Sequence, residues 1–119
     1  MQVTVNPDFT LTLNRNRGGA IVKAVVDAWK STGDDWELAG SFPLMDVATK
    51  IQKVDVHLEP GVTYLCMLRT EVEESLNGVF DYNLFVNNTK TVVGNGDVNT
   101  TGSAHDSAAF KAPFFVEVV

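Results

Sequence analysis

The sequence predicts an all-β fold, an antiparallel β-sandwich of seven or eight strands, and three observations carry that expectation. In residues 79–86, Phe80, Tyr82, Leu84 and Val86 share one parity while Asp81 and Asn83 share the other, the period of a half-buried strand. The same alternation returns at the end of the chain. There Phe110, Ala112, Phe114, Val116 and Val118 oppose Lys111, Pro113 and Glu117. Between such runs, clusters of Gly, Pro, Asn and Asp recur at intervals of roughly 8 to 12 residues, a sandwich spacing.

The totals agree with one soluble domain spanning residues 1–119. A chain of 119 residues is long enough to bury a single core without metals or disulfides. Hydrophobic residues make up 45% and charged residues 20%, so neither disorder nor a membrane partner is expected. The net charge of −6 has no basic cluster beyond Arg15 and Arg17, which excludes a nucleic-acid partner from the expectation because phosphate binding needs concentrated positive charge. The opening Met1-Gln2-Val3-Thr4 lacks the charged end and apolar core of a secretory signal. With a single cysteine, Cys66, a cytoplasmic location is slightly favoured over a secreted protein whose signal has been trimmed.

In chain order, Val3, Val5, Phe9, Leu11 and Leu13 share a parity, which predicts one long strand or two collinear ones bent at Pro7 and lying at a sheet edge. Residues 20–31 fit two periods. Ala20, Val22, Ala24, Val26 and Ala28 make a strand face, and Ile21, Val22, Val25, Val26 and Trp29 a helix face, so an α+β fold with one helix at 20–31 is the alternative. The valines favour the strand. Across the turn Thr32-Gly33-Asp34-Asp35, Trp36, Leu38, Phe42 and Leu44 alternate with Glu37, Ala39 and Ser41, as a hairpin partner would. Val54, Val56 and Leu58 oppose Asp55, His57 and Glu59, and Pro60-Gly61 closes that strand. Val62 to Leu68 is apolar on both parities, the signature of a central strand covered on both faces. Asn87 and Asn88 tolerate positive φ and predict a two-residue hairpin loop leading into Thr89 to Val93, with 94–106 as a polar loop.

The order Leu58-Glu59-Pro60-Gly61-Val62-Thr63-Tyr64 resembles the corner of immunoglobulin-like and fibronectin type III sandwiches, where a Tyr hydroxyl ties the turn to the backbone. It implies a sandwich of that kind, with a jelly roll as the other architecture the pattern allows, and implies no ligand.

Few residues announce chemistry. Asp97, Asn99 and Thr101 before Gly102 repeat the first half of a calcium-loop pattern, in which alternate oxygens converge and the glycine permits a sharp turn. Ala108 stands where a bidentate Glu is needed, so Asp106 or Asp81 would have to complete a calcium site. Cys66 lies in an apolar run, and His57 and His105 lie in polar settings, a poor basis for a nucleophile and its base. The chain has neither a His-x-x-x-His nor a Cys-x-x-Cys pair for zinc. Trp36, next to Asp34 and Asp35, has the company of a sugar-stacking platform, although both tryptophans also read as core or core-margin residues. The expectation is a non-catalytic binding module without a cofactor, with a protein or carbohydrate partner. Its alternatives are a lectin-like module aided by calcium and a homo-oligomer subunit with Phe85 and Phe115 in its interface.

Overall fold

A computed structural model describes residues 2–17, 20–44, 51–73, 78–87, 92–100 and 106–119. Within them the chain is all strand: β1 (Gln2–Val5), β2 (Asp8–Arg17), β3 (Ala20–Ser31), β4 (Trp36–Pro43), β5 (Ile51–His57), β6 (Thr63–Glu73), β7 (Gly78–Val86), β8 (Val92–Thr100) and β9 (Asp106–Val118). These form a five-stranded sheet of order β1-β9-β6-β3-β4 and a four-stranded sheet of order β5-β2-β7-β8. Every neighbouring pair is antiparallel except β1 and β9, which run parallel. Among the described residues no helix is long and apolar enough to cross a membrane.

The ambiguous stretch 20–31 is a strand over its whole length. It pairs with β4 on one side and β6 on the other, so its backbone groups are satisfied laterally and a helix has nothing to add. Its even residues Ala24, Val26 and Ala28 are buried against Leu11 and Leu13 of the opposite sheet in one cluster with Tyr64, Leu84 and Phe114. Stiff, branched and small side chains suit that tight inter-sheet layer.

Two expectations are corrected. The first stretch does break at Pro7 into two strands, but they are not collinear in one sheet, and β1 alone of the two lies at an edge. The chain leaves the five-stranded sheet at Asn6 and Pro7 and enters the other, where β2 lies between β5 and β7, which raises the strand number to nine. Proline, lacking an N–H, is a natural place to leave a ladder, and the Pro7 carbonyl accepts a bond from the Leu58 N–H at 2.9 Å. The second correction concerns the polar run after Val93. Over Gly94 to Thr100 it is not a loop but most of β8, which pairs with β7 through Leu84↔Gly94, Asp81↔Asp97 and Val79↔Asn99. Tertiary pairing overrides the low strand propensity of Gly, Asn and Asp. Residues 88–91, which include the start of the expected strand Thr89 to Val93, lie outside the described residues.

The turn chemistry follows the sequence. Gly33 and Gly61 adopt φ of 102° and 81°, and Asn87 takes φ of 57°. The Asn87 Oδ1 accepts from the Thr10 N–H at 3.1 Å and its own N–H donates to the Thr10 carbonyl at 2.5 Å, so this asparagine closes the β2–β7 ladder. At the β5–β6 corner, the Glu59 N–H donates to the Tyr64 hydroxyl at 3.1 Å, and the Tyr64 ring is buried in the core.

Candidate functional site: the outer face of the five-stranded sheet

The alternation of β4 places Trp36, Leu38 and Phe42 on one side in the sequence, but the structure separates them. Ala28 pairs with Gly40 and Trp29 with Leu38, so Ala39 is an extra residue, a β-bulge. One inserted residue flips everything beyond it to the other face. Phe42 therefore packs against the core with Val26, while Trp36 and Leu38 share the side of Ser31 and Trp29, which is the outer one. Both are 46% exposed. Gly40 is also explained here, because a Cβ at that position would lie 2.9 Å from the Phe42 ring.

The bulge extends an apolar row across four strands. Leu38 of β4 pairs with Trp29 of β3, Trp29 with Leu65 of β6, and Leu65 with Phe115 of β9. Trp29 and Leu65 are half-buried, and Phe115 is 39% exposed. One step along, Asp27 pairs with Met67, and beyond it Val25 pairs with Arg69. Here β6 departs from expectation. It is central, as its apolar parities required, with Tyr64, Cys66 and Leu68 buried beneath it, yet Leu65 and Met67 on the other side are only half covered.

Asp27 is the one acid in the middle of this face and is 5% exposed. Its Oδ2 accepts from Arg69 Nε at 3.1 Å, its Oδ1 accepts from the Ser41 hydroxyl at 2.6 Å, and a longer bond of 3.4 Å reaches Oδ1 from Arg69 Nη2. A carboxylate so enclosed is tolerable only with a charge partner and hydrogen bonds. At the centre of the face the Asp27 charge is thus matched by that of Arg69.

Of the residues singled out in the sequence, Asp34, Asp35, Trp36, Phe85 and Phe115 have described side chains. Asp34 and Asp35 are exposed in the β3–β4 turn beside Trp36. The Asp35 carboxylate already accepts the Trp36 N–H at 2.8 Å, and its carbonyl accepts the Thr32 N–H at 2.8 Å. The reading of Trp36 as a core residue is corrected, and the bulge is the reason. Phe85 and Phe115 cannot share one interface patch, because Phe85 lies on the outer side of β7 opposite Thr12, on the other sheet. Asp97 and Asn99 lie within β8 and Asp106 begins β9, their side chains being outside the described set, and Thr101 and His105 lie outside the described residues altogether.

Elsewhere, His57 Nδ1 lies 2.7 Å from Asp8 Oδ1 on the outer side of β5 and β2, with both side chains largely in solvent. It borders two shallow depressions. One, of about 430 Å³, is lined by Asp8, Thr10, Asp55 and Asn87; the other, of about 330 Å³, lies where the β4 and β5 edges meet and is lined by Lys30, Glu37, Glu59 and Tyr64. Neither is lined by Trp29, Leu65, Met67 or Phe115. Cys66 is buried, and desolvation pushes its thiol from 9.0 up to about 12. Among the described residues no three His, Cys, Asp or Glu side chains gather as a metal site.

The sequence offered Trp29 among its aromatics but gave no sign that Leu38, Leu65 and Asp27 share a face with it. The available signal was the two-sided apolarity of Val62 to Leu68, which asks for a cover on both faces. No protein-family model, curated protein or solved structure matches this chain.

Proposed function

We propose that this chain is a non-catalytic interaction module, an immunoglobulin-like sandwich that contacts its partner through the outer face of the five-stranded sheet. The observation that carries the reading is the row Leu38, Trp29, Leu65 and Phe115, large apolar side chains in cross-strand register, of which Leu38 and Phe115 are 46% and 39% exposed. Contiguous apolar patches of more than a few hundred Å² mark contact surfaces. The immunoglobulin-like assignment is supported by the Tyr64–Glu59 corner at the start of β6 and by two adjacencies, β2 with β5 and β3 with β6 with β9, that correspond to strands B, E and C, F, G of such domains. The β7–β8 hairpin, which separates β6 from β9 in sequence and joins the opposite sheet, is this chain's own elaboration.

A surface kept for a partner is dispensable for folding. Leu38→Glu combined with Phe115→Glu, melted at micromolar dilution, is expected to stay within a few degrees of the parent, since exposed substitutions change stability by about 0.5 kcal/mol or less. A loss of ten degrees or more would assign the row to the chain's own packing and end this reading.

A second reading has its own support. Trp36, exposed at the hairpin tip beside Asp34 and Asp35, offers a stacking platform for a sugar ring. Amide NMR with a panel of simple sugars separates the two. Shifts at the Trp36 indole favour the lectin-like reading, and their absence at millimolar sugar removes it.

A further inference from the structure

We infer that the partner of this face is a second copy of the same chain, docked sheet to sheet in a two-fold dimer; the inference rests on the interaction-face reading above. Three features favour this occupant.

The first is area. The four strands β4, β3, β6 and β9, about 4.8 Å apart and overlapping over some eight residues at ~3.3 Å, give a face of roughly 500 Å². A specific interface needs about 500 Å² or more from each partner, so one such face against another suffices.

The second is shape. Small molecules bind in concavities, and of this row Leu38, at its edge, lines a described depression, whereas Trp29, Leu65 and Phe115 line neither. A broad sheet face is matched by another of the same twist, which stacks at ~10 Å and within about 30° of alignment. The row is also self-complementary. A two-fold axis along the strands between β3 and β6 sets Phe115 of the second copy over Leu38, and Leu65 over Trp29, and each contact then occurs twice.

The third is charge. The chain carries −6 overall, which opposes self-association wherever acids meet. On this face the central carboxylate of Asp27 is matched by Arg69, and Glu117, the other described acid there, pairs with Thr63 at the start of β6, at the rim, where it accepts from the Gln2 amide. The acids of the hairpin tip, Asp34 and Asp35, and those of the opposite sheet, Asp8 and Asp55, stay at the periphery or behind. The same arrangement supplies the second cover that the two-sided apolarity of β6 calls for.

Sedimentation equilibrium of the full chain tests this directly. The expected particle at tens of micromolar is 26 kDa, twice the chain mass of 13.0 kDa. Leu38→Glu and Phe115→Glu should each weaken association at least tenfold, whereas Ile51→Glu, the matched change on the opposite outer face, should leave it intact. Because both tryptophans lie on this face, dilution of the unmodified protein should shift their emission to longer wavelength in step with the mass, a readout that needs no variant. A 13.0 kDa particle at 200 μM overturns the second-copy inference alone, and the face reading is then judged by the melting of the double variant. A dimer that survives both face substitutions overturns the inference, and if Ile51→Glu dissolves it, the face reading falls as well.

Discussion

The two sheets of this sandwich share a core but present opposite surfaces. Outward from the four-stranded sheet stand Asp8, Thr10, Thr12, Asn14, Lys53, Asp55, His57 and Asn83, with Ile51 and Phe85 as the apolar exceptions, and the described side-chain contacts there are polar: His57 with Asp8, and the Thr10 hydroxyl donating to Asp55 at 3.0 Å. Outward from the five-stranded sheet stand Val25, Trp29, Leu38, Leu65, Met67 and Phe115 around a buried ion pair. An antiparallel sheet that faces water alternates apolar and polar. The four-stranded sheet does so, and β3 and β6 of the other do not. The difference teaches that the second layer of burial is wanted on one side only.

Four experiments bear on that asymmetry, the largest effect first. Cys66 lies on β6 directly beneath the apolar face, and its thiol is raised to about 12 in the folded chain. The folded state therefore holds its proton where the unfolded state releases it, so the associated stability is complete below pH 9, falls progressively as pH rises toward 12, and amounts to about 4 kcal/mol in full. Denaturant unfolding at pH 8 and pH 11 should show a steeper alkaline loss in the parent than in Cys66→Ala. Equal losses in both would show that the thiol is not sealed under this sheet.

Next in size is Arg69→Ala, which leaves Asp27 enclosed without its cation and should cost roughly 1.5 to 3 kcal/mol. The corresponding change on the polar face, His57→Ala, should cost a few tenths at most, because that pair is solvated. Comparable costs for the two would erase the distinction between the faces.

Gln52 addresses the layer between them. It is 0% exposed on the inner side of β5, and neither of its amide atoms has a hydrogen-bond partner among the described residues. Gln52→Leu should stabilise the chain by about 1 to 2 kcal/mol in denaturant unfolding by removing an unpaired buried amide. A loss of stability would mean that the amide is bonded after all. Smallest is Thr12→Val, whose hydroxyl is enclosed on the polar face without a described partner. It should gain about 0.5 kcal/mol of stability, and any larger gain would show that this face tolerates apolar cover as the other does.

Much of the strand pattern was legible. Residues 20–31, 79–86 and 110–118 read as strands and are strands, because a period of two with valines and aromatics has few other uses. The tyrosine corner was legible from seven residues, since proline and glycine place the turn and tyrosine supplies the tie. The face was not. Its members come from β3, β4, β6 and β9, and the parity of Leu38 depends on one extra residue, Ala39, for which Gly40 inside the strand is the one local sign. The pairing of Asp27 with Arg69 was hidden for a similar reason, since the two lie on different strands and neither belongs to a motif.

By itself the sequence determined an all-β sandwich, most of its turns and most of the side chains that fill its core, because alternation and turn chemistry act within a few residues. Only the tertiary structure decided that Pro7 moves the chain from one sheet to the other, that the polar run after Val93 becomes an edge strand, and that a single bulge turns Trp36 and Leu38 outward. Register is a relation between strands. It is settled by pairings made across tens of residues, and one residue of slip exchanges inside for outside.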